Sequence, residues 1–225
     1  MNDLETTQAR IPLRPSPGSI EGILSVPSLP EGVVVFAHGS GSSRFSPRNR
    51  FVAEALNAGR FATLLVDLLT PEEERYDAAS GALRFDIGFL AQRLGRAMQW
   101  VAARSDLRDV PLGLFGASTG AAAALVAAAG EPRQTRAIVS RGGRPDLAGA
   151  ALGYVTAPTL FIVGGNDTIV LEYNRTAMQA MRCATKLEII SGAGHLFEEP
   201  GTLEQVARLA EQWFATHLPL GPRER

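Results

Sequence analysis

Several classes of protein are excluded by what this chain lacks. Cys183 is its single cysteine, so an internal disulfide and a cysteine-based metal cluster are both excluded. One cysteine suits a reducing compartment, and we expect a cytoplasmic protein. Residues 1–10 are polar and no apolar run reaches the ~18 residues that span a bilayer, so neither a signal peptide nor a membrane partner is expected.

An excess of charge of one sign is also lacking. The 22 basic and 23 acidic residues leave a formal net charge of −1, which provides no field to hold nucleic acid or an anionic membrane. The chain contains neither the G-x-x-x-x-G-K-[ST] motif of nucleotide triphosphatases nor the H-E-x-x-H motif of zinc proteases. We therefore expect no metal, no cofactor and no nucleic-acid partner, and the oligomeric state stays open.

What the chain does contain is a regular alternation of apolar runs and helical patterns. The runs predict strands at Val33–Ala37, Phe61–Asp67, Leu112–Phe115, Arg136–Ser140, Thr159–Val163 and Lys186–Ile190. Helices are predicted at Pro47–Ala58, Leu83–Ala103, Ser118–Ala129, Leu171–Met181 and Thr202–Thr216. Several strands lack polar alternation, as expected of parallel strands covered on both faces. The order predicts an α/β fold with a mostly parallel sheet and helices on both faces.

The connections refine this prediction. Short extended pieces near residues 11–13 and 20–26 flank a Pro/Gly-rich turn and predict an antiparallel edge hairpin. Residues 1–225 are expected to form one domain, with 1–9 and 219–225 as frayed tails. Glu72–Glu74 is interpreted as the solvated start of an irregular segment. The short interval between Ser140 and Thr159 leaves no room for a cap domain, which favours an open, shallow site.

The most informative motif is Gly116-Ala117-Ser118-Thr119-Gly120, which follows an apolar strand and opens an alanine-rich helix. A serine on a sharp strand-to-helix turn is presented as a nucleophile, and the flanking glycines leave room for that strained backbone. Ser118 is therefore the candidate nucleophile. Its hydroxyl needs a base to take its proton and a third group to orient the base.

His195 and Asp167 are the candidates for those two roles. Of the three histidines, His217 lies near the tail and His38 begins a glycine loop, whereas His195 follows the last strand. Asp167 follows the strand that ends at Val163, and loops after parallel strands open on one edge of the sheet. The chain order nucleophile, acid, base is that of α/β-hydrolases. Taken singly, Asp167 could instead serve only a turn and His195 only a helix cap.

The loop His38-Gly39-Ser40-Gly41 supports two interpretations. In a hydrolase, the Thr119 amide and the Ser40 amide, with Gly39 as the alternative, would stabilise an oxyanion, and His38 would brace the loop. In a dinucleotide-binding oxidoreductase, the loop would begin G-x-G-x-x-G and Asp67 would bind a ribose. Arg44 occupies the third glycine position and breaks that fingerprint.

Arginines lie beside the predicted site in two groups. Arg44, Arg48 and Arg50 follow the glycine loop, and Arg141 and Arg144 follow the strand that ends at Ser140. They could bind a substrate carboxylate through paired hydrogen bonds. The alternative is local pairing with Asp146, Asp67 or Glu72–Glu74, which is the usual state of exposed arginines.

With these residues in place, the chain resembles the α/β-hydrolases of the dienelactone-hydrolase-like family from about Gly22 to His217. The likeness is strongest at residues 38–44, 68–74, 83–87 and 116–120. It implies the α/β-hydrolase fold and the triad Ser118, Asp167 and His195. Dienelactone hydrolases use a cysteine where this chain has Ser118, which implies an ester intermediate like that of ordinary esterases.

These observations predict a serine hydrolase that cleaves small carboxylic esters or lactones through an acyl-enzyme, with the small-molecule substrate as its partner. Two alternatives from other classes stay open. One is a non-catalytic binding module that keeps the fold, and the other is the dinucleotide-binding oxidoreductase.

Overall fold

The computed structural model describes residues 3–13 and 18–218. The strands are β1 (Leu4–Pro12), β2 (Ser19–Pro27), β3 (Gly32–Ala37), β4 (Phe61–Val66), β5 (Leu112–Ala117), β6 (Thr135–Arg141), β7 (Thr159–Gly164) and β8 (Thr185–Ile190). The helices are α1 (Pro47–Ala58), α2 (Pro71–Ser80), α3 (Ile87–Ala103), α4 (Thr119–Gly130), α5 (Thr168–Ala180) and α6 (Thr202–His217), with a 3₁₀ segment at Pro145–Tyr154.

The strands form one sheet in the order β1-β2-β4-β3-β5-β6-β7-β8. Pairing is parallel from β4 across to β8, and β1 and β2 are the antiparallel members. Every residue of β3 is buried, because Val33 and Val35 pack into the apolar cluster on one face while Val34 and Phe36 pack into the cluster on the other. The predicted α/β-hydrolase fold, without a separate cap domain among the described residues, is confirmed.

The N-terminal hairpin is longer than predicted. β1 pairs antiparallel with β2 from Leu4 opposite Pro27 to Pro12 opposite Ser19. The expectation that residues 1–9 fray is wrong from Leu4 onward, because this pairing satisfies the backbone and Ala9 packs into the core. Residues 1–2, the turn at 14–17 and the tail at 219–225 lie outside the described residues.

Residues 71–80 form helix α2, so the expectation of an irregular segment at Glu72–Glu74 is wrong. The Thr70 hydroxyl accepts from the Glu73 amide at 3.2 Å, and the Glu73 carboxylate accepts from the Thr70 amide at 2.8 Å. This reciprocal capping box begins the helix, and Gly81 at φ 65° ends it. Asp77 is its only buried residue, which is why no amphipathic pattern indicated a helix.

The turn from β5 into α4 holds Ser118 at φ 51° and ψ −123°, a conformation that L-residues rarely adopt. The flanking glycines allow the neighbouring backbone to pass very close. A Cβ on Gly116 would lie 2.4 Å from the Ala121 Cα, and one on Gly120 would lie 2.2 Å from the carbonyl oxygen of Ala37. The predicted nucleophile elbow is thus formed by the close contact of α4 with the ends of β5 and β3.

Gly120→Ala is expected to lower the free energy of unfolding by roughly 1–3 kcal/mol, because the added methyl group meets backbone that cannot move independently. The melting temperature would fall by about 2–4 °C per kcal/mol in a chain of this size. Gly130→Ala is the matched control in the same helix, since its Cβ would meet nothing within 4 Å. Equal losses of stability in the two variants would contradict this account of the elbow.

Candidate active site

The structure brings His195 and Asp167 together as predicted. Asp167 follows β7 and immediately precedes α5, and His195 lies in the loop between β8 and α6. The Nδ1 atom of His195 donates to Oδ2 of Asp167 at 2.6 Å. The Asp167 side chain is 15% exposed and that of His195 is 39% exposed, so the carboxylate is sheltered and the imidazole is open to a substrate. This contact fixes the tautomer that leaves Nε2 free to accept a proton.

Ser118 and His195 meet at a shared turn, residues 141–144. The Ser118 amide donates to the Arg141 carbonyl at 3.2 Å, and the Arg144 amide donates to the Ser118 carbonyl at 3.1 Å. A Cβ on Gly142, in the same turn, would lie 3.6 Å from Cε1 of His195. The hydroxyl of Ser118 and Nε2 of His195 are not hydrogen-bonded to each other here. Such contacts often tighten only when substrate is bound.

The oxyanion side of the site differs from expectation. Gly39 lies against the nucleophile, since a Cβ there would be 3.0 Å from the Cβ of Ser118. The Ser40 amide, predicted to face an oxyanion, instead donates to the hydroxyl of Thr119 at 2.9 Å. The Thr119 side chain is buried, so it holds the loop against the first turn of α4. Sequence reasoning considered only the backbone of Thr119 and missed this role of its side chain.

His38 braces the loop, as its position suggested. Nε2 of His38 accepts from the Leu68 amide at 3.2 Å, which leaves Nδ1 to donate to the Gly39 carbonyl at 2.9 Å. The imidazole is buried and ties the end of β3 to Leu68, the second residue after β4. Both ring nitrogens are therefore occupied by backbone groups.

Arg44 and Arg144, two of the arginines considered for substrate binding, are paired locally. Arg144 donates to the Asp146 carboxylate through Nε and Nη2 at 2.9 and 2.7 Å. Arg44 binds Asp67 and also Glu21, the latter at 2.6 Å. Their assignment to a substrate carboxylate is therefore wrong, because nearby carboxylates already occupy both guanidinium groups. Among the described residues, Arg141 has no carboxylate partner.

The Arg44 pairing also bears on the dinucleotide alternative. Asp67, the residue that would bind a ribose, accepts from the Arg44 amide at 2.6 Å as well as from its guanidinium. Asp67 is only 6% exposed. With Arg44 in the third glycine position and Asp67 engaged by it, the loop lacks both elements of a dinucleotide site.

A cavity of about 620 Å³ opens beside the oxyanion loop. Its lining includes Gly39, Ser40 and Thr119 as well as Asp77 and Arg84, while Ser118, Asp167 and His195 lie outside its lining. Because Gly39 lies against Ser118, the cavity adjoins the candidate nucleophile. The expectation of an open, shallow site did not include this cavity, because the sequence pattern did not reveal the wall that α2 and the turn after it supply.

The Asp77 carboxylate fixes that wall. It accepts from the Leu83 amide at 2.7 Å, the Arg84 amide at 3.1 Å and Nε of Arg84 at 2.6 Å. Burial acts to raise the pKa of Asp77, but the hydrogen bonds from Arg84 and Leu83 outweigh it and hold the pKa below its ordinary value of 3.8. The turn at 81–86 is thereby tied to α2 by a charged group.

Comparison with known proteins agrees with this geometry. Residues 20–218 match the model of the dienelactone hydrolase family. The chain belongs to the dienelactone hydrolase family. A dienelactone hydrolase from Anabaena variabilis has a structure with a TM-score of 0.93 and 50% identity, covering 96% of this chain and 99% of that one. Est1E from Butyrivibrio proteoclasticus shares the fold with a TM-score of 0.75 at 16% identity, covering 93% of this chain and 98% of that one.

Two curated relatives from strains of Mycobacterium tuberculosis are 59% identical over 202 residues and carry the name "Putative phosphoribosyl transferase". The match covers 90% of this chain but only 45% of each relative, so the chain spans less than half of their length. In the part of the chain that the structure describes, no helix is both long and apolar enough to cross a membrane.

Asp77→Asn is expected to lower the melting temperature at pH 7, because a neutral amide binds Arg84 less strongly. A carboxyl whose pKa is depressed by folding stabilises the protein above its unfolded pKa, and that stability is lost as the pH falls through the folded pKa. The difference in melting temperature between wild type and Asp77→Asn should therefore become smaller as the pH falls from 5 to about 3, as measured by thermal unfolding.

Asp106→Asn provides the matched control for this experiment. Its pKa is also lowered, first by the side-chain hydrogen bond from Arg104, but that pair lies on the surface. Surface pairs contribute little, so this variant should unfold close to wild type. If the melting temperature of Asp77→Asn stays below that of wild type by the same amount at every pH, the charge of Asp77 is not what stabilises the wall.

Proposed function

We propose that this protein is a serine hydrolase that cleaves small carboxylic esters or lactones through an acyl-enzyme intermediate. The observation that supports this most directly is the 2.6 Å hydrogen bond between His195 and Asp167, beside a serine held in a strained elbow at φ 51°. A base oriented by a sheltered carboxylate, next to a serine on such a turn, is the arrangement that activates a hydroxyl.

The proposed reaction has two stages. The Ser118 oxygen attacks the substrate carbonyl while Nε2 of His195 takes the hydroxyl proton, and the imidazolium then protonates the departing alcohol oxygen. Asp167 stabilises the imidazolium through Nδ1. Water, deprotonated by His195, attacks the acyl-serine ester, and the proton returns to Ser118 as the acid leaves. In a lactone the alcohol and acid stay in one molecule.

The oxyanion would be bound by backbone amides. The Thr119 amide lies at the start of α4, where N–H groups have no partner within the helix and the dipole favours negative charge. We assign the second donor to the 39–40 loop, where the Ser40 amide would turn from the Thr119 hydroxyl to the oxyanion, with the Gly39 amide as the alternative. The loop already contacts Thr119 at 2.9 Å, so this exchange needs little movement.

The relatives' name raises a second activity, which we do not assign to these residues. Ser118, His195 and Asp167 form a constellation for acyl transfer. Since the match covers 45% of each relative, we propose that the phosphoribosyl transferase in the name belongs to the part of those proteins that this chain does not match.

Ser118→Ala should reduce hydrolysis of a short-chain activated ester by about 10⁴–10⁶-fold, because it removes the nucleophile. Ser105→Ala, an exposed serine after α3, is the matched control and should retain full activity. Rates are measured with the p-nitrophenyl ester of acetic acid. Equal rates in wild type and Ser118→Ala would remove Ser118 from the mechanism.

A fluorophosphonate probe separates the hydrolase from a binding module that only keeps the fold. Labelling of wild type and not of Ser118→Ala, detected by intact mass, is the expected result. A folded wild-type protein that neither labels nor hydrolyses the ester would favour the binding module.

Thr119→Val should lower kcat by roughly 10–100-fold, because it keeps the shape of the side chain but removes the hydroxyl that holds the Ser40 amide, and misplaced donors are costly. Thr119→Ser retains that oxygen and should stay near wild type. An unchanged or higher kcat in Thr119→Val would mean that the hydroxyl competes for the Ser40 amide instead of positioning the loop.

A further inference from the structure

Arg141 is a buried cation without a counter-ion. It ends β6, beside the nucleophile, and only 7% of its surface is exposed. Among the described residues, its Nε and Nη1 atoms have no hydrogen-bond partner. Its single contact of this kind is a long one, 3.5 Å from Nη2 to the side-chain oxygen of Asn49. Burial, together with the nearby charge of Arg48, lowers the pKa of Arg141 to about 10, so the group stays charged at neutral pH.

The surroundings of Arg141 add positive charge. Arg48 is close enough to repel it, and Glu198, at 3.2 Å from Arg48, is a largely exposed partner. Asn49 lies in the first turn of α1, which contains no acidic residue. Because the N-terminus of a helix carries a partial positive charge, the dipole of α1 adds to the two guanidinium groups.

An uncompensated buried charge is costly. Proteins pair such groups, and removal of one partner from a buried ion pair typically destabilises by about 3–5 kcal/mol. Two arginines of like sign at a helix N-terminus increase that cost. An anion between the two arginines would remove this cost. It would accept hydrogen bonds from the unpaired N–H groups, offset the repulsion between the two guanidinium groups and interact favourably with the helix dipole.

The position of this group links it to the proposed reaction. The carbonyl of Arg141 accepts from the Ser118 amide. The guanidinium carbon lies 6.0 Å from the ring centre of Phe197, two residues after His195. Arg48 lines the 620 Å³ cavity and its side chain is 31% exposed, so one of the two positive charges lies where a substrate in the cavity can meet it.

We infer that Arg141 and Arg48, at the N-terminus of α1, form a binding site for an anionic oxygen group, a carboxylate or a phosphate, carried by the substrate. The existence of the anion site stands on the geometry of the two arginines. The statement that the anion belongs to the substrate rests on the proposed hydrolase function. Arg44 and Arg144 are excluded from this site because each is paired with a carboxylate that is less exposed and held more closely than Glu198, the partner of Arg48.

The anion site is tested by calorimetry with inorganic phosphate and, separately, with acetate at fixed ionic strength. Wild type should bind one of them saturably, in about the millimolar range or tighter. Arg141→Met and Arg48→Met should each weaken that binding about tenfold or more, because each removes a charge-assisted contact. Arg50→Met, an exposed arginine of the same helix, is the matched control and should bind as wild type does.

The outcomes separate the two sources of the anion. Binding of phosphate alone identifies a phosphate group, and binding of acetate identifies a carboxylate. No saturable binding of either, or equal binding by wild type, Arg141→Met and Arg48→Met, would overturn the inference. If Arg141→Met does not fold, Arg141→Lys replaces it. That variant keeps the charge but loses the planar fork, so it should weaken binding while Arg48→Met provides the charge test.

A kinetic comparison connects the site to the substrate. Wild type should prefer a p-nitrophenyl ester with a free carboxylate, such as the succinate monoester, or one with a phosphate, over the neutral butyrate ester. That preference in kcat/KM should fall about tenfold or more in Arg141→Met and stay unchanged in Arg50→Met. A wild-type protein that hydrolyses none of these esters but still binds phosphate or acetate would refute the hydrolase and leave the anion site standing.

Discussion

The close approach of α4 to the end of β3 is the constraint on which the site depends. A Cβ on Gly120 would lie 2.2 Å from the Ala37 oxygen and 2.4 Å from the His38 oxygen, so only glycine allows the helix to begin there. The same approach lets the Thr119 hydroxyl reach the Ser40 amide. The strained Ser118, the first turn of α4 and the glycine loop are therefore positioned as one unit, and the backbone strain at the serine is maintained by packing on both sides.

Asp167 and His195, the candidate acid and base, are positioned as a second unit, again by close contact between backbone segments. A Cβ on Gly164, at the end of β7, would lie 2.4 Å from the Ala193 oxygen, so this strand end and the histidine loop are in backbone contact. The Asn166 amide donates to the Ala193 carbonyl at 2.9 Å, and its side chain donates to the Gly192 carbonyl at 2.8 Å. The turn at 141–144 joins the two units, because it bonds to Ser118 on one side and contacts His195 on the other. Small displacements of this turn would change the distance between base and nucleophile.

The sequence predicted those features whose signal is local and strong. Fully buried strands such as β3 give unbroken apolar runs, and the elbow requires glycines at fixed spacing. Helix α2 gave no such signal, because it buries only Asp77 and its evidence is confined to the capping box at Thr70 and Glu73. The partners of Arg44 and of the Ser40 amide were also inaccessible, since each depends on the separation between segments that are far apart in the chain. Sequence periodicity indicates which face of a helix or strand is buried. It does not indicate which polar groups form hydrogen bonds or ion pairs with each other.

The structure distinguishes arginines that are paired with carboxylates from one that is not, a difference that the sequence did not reveal. Arg44 and Arg144 are neutralised by carboxylates of the chain, whereas Arg141 is buried without one. In the proposed mechanism, a substrate anion held by Arg141 keeps its charge while the ester bond breaks, so its contact is equal in the ground state and the transition state. Interactions of that kind lower KM and leave kcat unchanged. The proposed electrostatics thus divide by location, since amides of the elbow and the glycine loop would bind the charge that develops during reaction, and the buried guanidinium would bind a charge that the substrate already carries.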